Sequence, residues 1–395
     1  MITTFFGPHS FGGDAAYVDR LSRALLRRGH EVDVIYNADA FDAIRGSQPD
    51  RPYDAPPGLR VHALRTPLGK FGLLWTHQTS GLGPLRKPLE EIVSGTRFDV
   101  IHFHNISLMG GMEVLEAGNG ALRLMTAHEH WLCCPLSLMW KRDRQVCDRP
   151  ECVSCTIAAG RPPQLWRYSG LRDRMLQKLD FLLTPSLHSR ALHQDRGVAR
   201  RIEHLPIFIP DEMIGTEPPL PELSTRPYFV AAGRLIQEKG FSDAIAQMRN
   251  FPDADLVIAG AGPFGEKLRD EASGLTNVRF TGLLSQADLA GLFRGARALL
   301  VPSRFPETFG YVVLEAFAVG VPAIVSDRGA LPELIADSGA GLVARNATEM
   351  CCAMRRYLEN PEFARSHGRR GRDACAGRWS ESSHLARYLK YAGAH

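Results

Sequence analysis

The amino-acid sequence predicts an α/β protein of two doubly wound, Rossmann-like domains. Three observations carry that expectation. The chain has 395 residues, more than a single hydrophobic core normally serves. Short apolar runs alternate with helical patterns twice, once from Ile2 and again from Tyr228, and such alternation builds parallel sheets with helices on both faces. Between the two series, residues 206–227 contain Pro206, Pro210, Pro218, Pro219, Pro221 and Pro227, the composition of an interdomain linker. The expected domains are therefore 1–205 and 228–376, followed by a C-terminal helix, 377–395, returning to the first.

Composition narrows the function. Hydrophobic residues make up 44% and charged residues 23%, as in soluble globular proteins. No apolar run reaches about 18 residues, so no transmembrane helix is expected. Met1-Ile-Thr-Thr-Phe-Phe has no basic n-region and reads as a first strand rather than a signal peptide. With eight cysteines and no export signal, a reducing cytoplasm is the expected compartment. The net charge of +4 is uneven: residues 1–205 hold 26 Lys and Arg against 21 Asp and Glu. That excess fits an ordinary solvated surface. It also fits a first domain that faces anionic lipid, as peripheral contact at the inner face of a membrane, or a phosphorylated acceptor. No basic block is dense enough for nucleic acid.

The first domain opens with a strand over residues 2–6. Then come His9-Ser-Phe-Gly12-Gly13-Asp14 and a helix with Val18, Leu21 and Leu25 on its apolar face. A strand follows from Glu31 to Tyr36. This is not the dinucleotide fingerprint, because G-x-G-x-x-G is absent. Gly12-Gly13 reads either as a loop that lets backbone approach a ligand or as a tight turn at a helix start. Residues 37–58 read as a loop, Leu59–Arg65 as a strand. Residues 67–84, Gly-rich with aromatics, read as an acceptor loop, a membrane-touching segment, or a connector with Trp75 packed inward. Asp99–His104 and Leu122–His128 are buried strands. His104 and His128 lie at their carboxyl ends, where doubly wound sheets bind ligands.

Residues 129–165 are the least regular part. Cys134, Cys147, Cys152 and Cys155 have the spacing C-x12-C-x4-C-x2-C, with Cys133 adjacent. Four thiolates suit a structural Zn²⁺ or, less readily, an iron–sulfur cluster that ties down a long loop. The other reading is free thiols. No catalytic metal is expected there. Asp180–Ser186 and Arg201–Phe208 close the first domain.

The second domain restarts at Tyr228–Gly233. Arg234 and Lys239 then follow the strand end, where two cations suit a diphosphate. Gly260-Ala-Gly262-Pro263-Phe-Gly265 fits G-x-G-x-x-G after a strand. The next strand, Asn277 to Thr281, ends without the acidic residue that a dinucleotide site needs. The loop therefore reads as a phosphate approach. Leu299–Ser303, Ala323–Asp327 and Gly341–Ala344 continue the sheet, and residues 347–376 and 380–391 are helical. Between Val301 and Glu315 lie two carboxylates, Glu307 and Glu315, and a helix start near Phe309. The first N–H groups of a helix lack internal partners and attract anions. Hydroxyl-binding acids beside an anion-binding helix end suit a nucleotide-sugar.

These residues resemble the retaining nucleotide-sugar glycosyltransferases of family 4, which have the glycosyltransferase B fold of two domains facing across a cleft. The resemblance spans nearly the whole chain. Its strongest mark is Glu307-x7-Glu315 within Pro306-Glu-Thr-Phe-Gly-Tyr-Val-Val-Leu-Glu-Ala-Phe-Ala-x-Gly-x-Pro322, joined by Gly233-Arg234-x4-Lys239-Gly240 and Gly260-Ala-Gly262-Pro263. It implies that Glu307 binds donor-sugar hydroxyls and Glu315 the ribose. Arg234 and Lys239 would hold the diphosphate. Phe309 and Gly310 would offer backbone N–H groups, with Thr308, Tyr311, Gly233, Gly262 and Pro263 completing the donor site. Gly12, Gly13 and His128 would serve from the first domain, His128 contacting the transferred sugar. Two departures stand out. His128 is followed by Glu129 where the family often has Asp. Pro206-Ile-Phe replaces the usual Pro-Asn-Gly.

The implied activity is transfer of a hexosyl group, with retention, from a nucleoside diphosphate sugar to a hydroxyl acceptor, without a catalytic metal. The acceptor would be a lipid-linked glycan of the cell envelope or a small natural product. Alternatives on the same fold are a sugar-phosphate synthase or phosphorylase, or a nucleotide-sugar-binding subunit without turnover.

Overall fold

The computed structural model describes residues 1–45, 53–118, 120–142, 144–198, 201–216 and 226–393. The chain divides into two compact units. One comprises Met1–Arg142, Asp148–Leu205 and Leu385–His395; the other comprises Asp143–Cys147 and Pro206–His384. Residues 217–225, which carry three of the linker prolines, lie outside the described residues.

In the first unit the strands are β1 (Ile2–Thr3), β2 (Val32–Asn37), β3 (Leu59–Leu64), β4 (Val100–Phe103) and β5 (Leu122–Thr126). The two-residue strands β6 (Trp140–Lys141) and β7 (Gln145–Val146) stand apart from the sheet, which ends with β8 (Phe181–Thr184) and β9 (Ile202–His204). The order is β3-β2-β1-β4-β5-β8-β9, and the pairings are parallel. This is the doubly wound arrangement, reversing direction at β1. Parallel strands are covered on both faces and so read as continuous apolar runs. All six residues of β2 are buried. Phe103, Leu182 and Met112 lie in the core on one face of this sheet.

The second unit repeats the plan with β10 (Tyr228–Ala232), β11 (Asp255–Ala259), β12 (Val278–Gly282), β13 (Leu299–Val301), β14 (Ala323–Ser326) and β15 (Gly341–Ala344). Their order is β12-β11-β10-β13-β14-β15, again parallel. Phe229, Ile258, Leu300 and Ile324 lie in its core.

Four local expectations are corrected. The segment from Asn37, expected as a loop to residue 58, begins with a helix, Ala38–Arg45, held by buried Ala38, Ala40 and Phe41; residues 46–52 lie outside the described residues. The Gly-rich stretch 67–84 contains a helix, Lys70–Thr79, and Trp75 is 54% exposed rather than packed inward. The long C-terminal helix breaks at Asn360-Pro361 into Ala347–Glu359 and Pro361–Gly377. Asn360 accepts from Phe363 N at 3.0 Å and Pro361 starts the new helix, the pairing of side-chain cap and N1 proline that favours a fresh start. The helix after Glu307 begins at Tyr311, two residues beyond the expected Phe309.

Strand β2 carries one buried charge. Asp33 pairs in register with Arg60 of β3. Arg60 Nε donates to both carboxylate oxygens at 3.0 Å and Nη2 to Oδ2 at 2.7 Å, while His62 Nε2 lies 2.7 Å from Oδ1. Burial alone would raise the Asp33 pKa, but the hydrogen bonds from Arg60 and His62 outweigh it and leave the pKa lowered. A carboxylate with a depressed folded pKa stabilises the fold above its ordinary range and loses that contribution as pH falls through the folded value. Asp33→Asn should cost about 1.5–3 kcal/mol at neutral pH, the scale of hydrogen bonds to a charged group. The deficit should shrink below about pH 4, where the native carboxylate also takes up a proton. Melting curves of both proteins at neutral and acid pH check this.

Candidate functional site

In each unit the parallel strands deliver their carboxyl ends to one edge, and the sequence-predicted residues gather there. In the second unit, β10 ends at Ala232, followed by Gly233 and an exposed Arg234. One 3-10 turn, Gln237–Lys239, brings Lys239 back towards the loop after β13. Lys239 Nζ donates to Glu307 Oε1 at 2.7 Å, and Ser303 Oγ donates to the same oxygen at 2.6 Å. The ammonium also lies 5.3 Å from the Phe305 ring centre. Glu307 is 7% exposed, so its charge is held by partners rather than by water, as a buried carboxylate requires. Ser303 is fixed in turn, its carbonyl accepting from Ser326 Oγ at 2.6 Å.

The loops after β10 and β11 lie against each other. Gly260 has φ +133°, and a Cβ there would fall 2.0 Å from Gly233 O; only glycine fits. Leu235 N donates to Ala261 O at 3.0 Å and Phe264 N to Leu235 O at 3.0 Å. Gly262 and Pro263 remain exposed beside Arg234 along this seam. Beyond Glu307, Thr308 is half-buried and Phe309 buried. Gly310, at φ +100°, caps the helix Tyr311–Ala318 without a side-chain acceptor. Its first N–H groups carry the positive end of the helix dipole. Glu315 is half-buried on the second turn of that helix.

Sequence reasoning missed Ser303 and Gly329. Ser303 stands inside the motif stretch, four residues before Glu307, where a short hydroxyl beside an acid was a usable signal. Gly329 has φ +63°, and a Cβ would fall 2.2 Å from Glu307 O and 2.3 Å from Glu307 N. Ala330 N donates to Glu307 O at 2.9 Å. The backbone that seats Glu307 thus depends on a glycine more than twenty residues downstream, which no local pattern reveals.

In the first unit, Gly12 precedes the helix Gly13–Arg27 in extended backbone. An added Cβ would meet nothing nearer than Asp14 Oδ1 at 3.6 Å. Neither conformation nor packing demands glycine there, and both Gly12 and Gly13 are exposed. The open space suits close approach of a ligand. His128 lies just beyond β5, its Nε2 3.0 Å from Nδ1 of His104, the residue that follows β4. Burial lowers the His128 pKa to about 3. Burial and the nearby Asp14 charge raise that of Glu129 to about 7, against opposition from Ser137, Arg167 and Arg161. Burial raises Asp14 as well, opposed by hydrogen bonds that include one from Asn105. These strand ends therefore form a low-charge surface in which the His128 imidazole stays neutral and the Glu129 carboxyl is half-protonated near neutrality.

Cys134 and Cys155 both lie near Cys152. Cys152 and Cys155 lie one turn apart on the helix Cys152–Ala158, Cys134 is buried, and all the cysteines are free thiols. Among the described residues, no three His, Cys, Asp or Glu side chains are placed to share a metal ion.

Comparison with known proteins agrees with this arrangement. Residues 11–212 match the family described as Glycosyltransferase Family 4, and residues 217–374 match glycosyl transferases group 1. A GDP-mannose-dependent alpha-(1-6)-phosphatidylinositol dimannoside mannosyltransferase of Mycobacterium tuberculosis is 29% identical over 403 residues, covering 96% of this chain and 91% of the relative. An alpha-maltose-1-phosphate synthase of Mycolicibacterium smegmatis is 29% identical over 409 residues, with 96% and 95% covered. The structure of a sucrose-phosphate synthase from Thermosynechococcus elongatus superposes with a TM-score of 0.77 at 21% identity, over 99% of this chain and 97% of that one. Its fold is glycosyltransferase B. The first family spans just over half of the residues, its companion covers most of the second unit, and the full-length relatives transfer sugars: the chain belongs to Glycosyltransferase Family 4.

Proposed function

We propose that the second unit holds a nucleoside diphosphate sugar and that the enzyme transfers its hexosyl group, with retention, to a hydroxyl. The observation that carries this reading is the Lys239–Glu307–Ser303 cluster beside exposed Arg234 at the strand ends. Arg234 and Lys239 take the diphosphate. Glu307, oriented by the hydrogen bonds from Lys239 and Ser303, accepts hydrogen bonds from sugar hydroxyls. Glu315 accepts those of the ribose, and the N–H groups at Phe309 and Gly310 meet phosphate or sugar, flanked by Thr308 and Tyr311. Gly233, Gly262 and Pro263 let the chain approach the diphosphate closely. In the first unit, His128 binds a hydroxyl of the transferred sugar and Gly12-Gly13 leaves room for substrate.

Breaking the glycosidic bond builds positive charge on the sugar and negative charge on the departing phosphate. Fixed cations and helix N–H groups stabilise that developing charge without reorganising. A glycosidase needs two carboxylates flanking the scissile bond. Glu307 is instead engaged by an ammonium and a hydroxyl, which suits binding rather than proton transfer. The leaving phosphate takes the proton of the acceptor hydroxyl.

The acceptor side has one further support. Leu68, Phe71, Leu74 and Trp75 are about half exposed or more, Phe71 at 77%. All belong to the helix Lys70–Thr79 or the turn before it. Leu165 and Tyr168 are exposed on a neighbouring turn whose Trp166 donates to His77 O at 3.2 Å. Such a patch suits peripheral contact with lipid, and a lipid-linked acceptor follows from it. No helix among the described residues is long and apolar enough to cross a membrane. The synthase names among the relatives favour a second reading, a phosphorylated sugar as acceptor.

Three outcomes test these readings. Arg234→Ala and Lys239→Ala should each lower the rate of transfer from a nucleotide-sugar by about 10²–10³-fold, the cost of removing one charge-stabilising group. Arg234→Ala, at an exposed position, should leave the melting temperature unchanged. Full activity in either variant rejects the assigned roles. Phe71→Ser with Trp75→Ser should weaken sedimentation with anionic phosphatidylglycerol vesicles by at least about tenfold, given about 1.5–3 kcal/mol per large apolar side chain buried, and leave transfer to a water-soluble acceptor intact. Preference for plain over phosphorylated sugar acceptors, measured side by side, decides between the two acceptor readings.

A further inference from the structure

Two imidazoles meet at the strand ends of the first unit. His104 follows β4 and is 1% exposed. His128 lies beyond β5, the strand paired in parallel with β4. Their rings lie edge to edge, with centres 5.3 Å apart and planes within 25°, and His104 Nδ1 is 3.0 Å from His128 Nε2. The other nitrogen of His104, Nε2, lies 3.3 Å from Met1 Sδ. Burial, then the neighbouring His102 and His128, holds the His104 pKa well below its ordinary value, and burial does the same to His128. Both rings are therefore neutral, and each carries a single N–H.

A thioether sulfur has no hydrogen to give, so the contact with Met1 requires the N–H of His104 to be on Nε2. Nδ1 of His104 is then the lone-pair nitrogen. A hydrogen bond between Nδ1 of His104 and Nε2 of His128 requires the latter to donate. We propose that His104 is a positioning residue that holds His128 in the Nε2–H tautomer, so that the lone pair of His128 is on Nδ1 and accepts a hydrogen bond from a hydroxyl. The tautomer of a histidine is set by the bond its other nitrogen makes, and here that bond comes from within the same sheet.

The rest of the neighbourhood holds the ring plane. Tyr17 lies 4.9 Å from the His128 ring centre and is hydrogen-bonded to Thr126. Thr126 Oγ1 lies 2.8 Å from His102 Nε2, and His102 Nδ1 lies 3.2 Å from Tyr388 OH. His104 thus fixes which atom of His128 is presented, while the Tyr17–Thr126–His102–Tyr388 chain supports the residue packed against it. The catalytic consequence rests on the reading of His128 as a ligand of the transferred sugar; the tautomer itself does not.

Nitrogen-15 NMR of the full chain, correlating imidazole nitrogens with ring protons, reads the tautomer directly. In the unaltered protein His128 should show a protonated Nε2 and an unprotonated Nδ1. An Nδ1–H tautomer, or an averaged signal, overturns the proposal without recourse to any variant. His104→Leu should release His128 into a mixture of tautomers and lower the turnover of sugar transfer by about 3- to 10-fold, the worth of one hydrogen bond. His104→Gln, whose amide oxygen can accept the same hydrogen, should restore both. An unchanged His128 tautomer in a folded His104→Leu protein also overturns it. If the tautomer changes while transfer does not, His104 still sets the ring, and it is the placing of His128 at the sugar that fails.

Discussion

Every strand that pairs in either sheet runs in the same direction, and this one constraint places the chemistry. Parallel strands need a crossover between each pair, so the connections that follow them all emerge at the same edge. In the second unit that edge gathers Arg234 after β10, Gly262 after β11 and Glu307 after β13. In the first it gathers Asp14 after β1, His104 after β4 and His128 after β5. Residues more than a hundred positions apart become neighbours without any special long-range device. The cost falls on the loops, which must turn sharply beside one another. Gly260 against Gly233 and Gly329 against Glu307 are where two backbones come closer than any side chain allows.

Seating Glu307 is the most demanding of these tasks. Its carboxylate is nearly out of water and needs compensation from Lys239 and Ser303. Its backbone carbonyl is tied to Ala330. Lys239 is delivered by a single 3-10 turn that ends in Gly240, where a Cβ would fall 2.0 Å from Pro302 O. The strand that ends at Val301, the turn before Gly240 and the loop at Gly329 are thereby locked together around one acid. A ligand entering here meets an acceptor whose orientation is already fixed, which is how a binding group is made effective without paying for its ordering at the moment of binding.

Much of this was legible in the chain. The alternation of apolar runs gave the strands of both sheets, most plainly where a strand is covered on both faces, as β2 is buried throughout. The spacing from Glu307 to Glu315 and from Arg234 to Lys239 marked the second unit's candidate site, since these residues lie in or just after the loops that follow strands located by periodicity. What escaped has a common cause. Gly329 and Ser303 matter through contacts that only the fold creates. The helix at Lys70–Thr79 was hidden by Gly72 and by an apolar face left exposed, so the usual amphipathic signature pointed nowhere.

The two units do opposite electrostatic work with the same architecture. The second unit's strand ends bring Arg234, Lys239 and Glu307 to one edge, with Lys239 and Ser303 hydrogen-bonded to Glu307. The first unit's strand ends suppress charge. His104 and His128 are kept neutral by burial, and burial with the proximity of Asp14 lifts Glu129 to about 7. A low-charge surface of imidazole and carboxyl groups is poorer at holding phosphate than at hydrogen-bonding hydroxyls, because its donors and acceptors are fixed in direction. Sugar transfer needs both kinds of surface: one that welcomes the charge appearing on the leaving group, and one that recognises an uncharged polyol without trapping it. In the first unit the same desolvation that would make a lone charge costly is what keeps both imidazoles neutral.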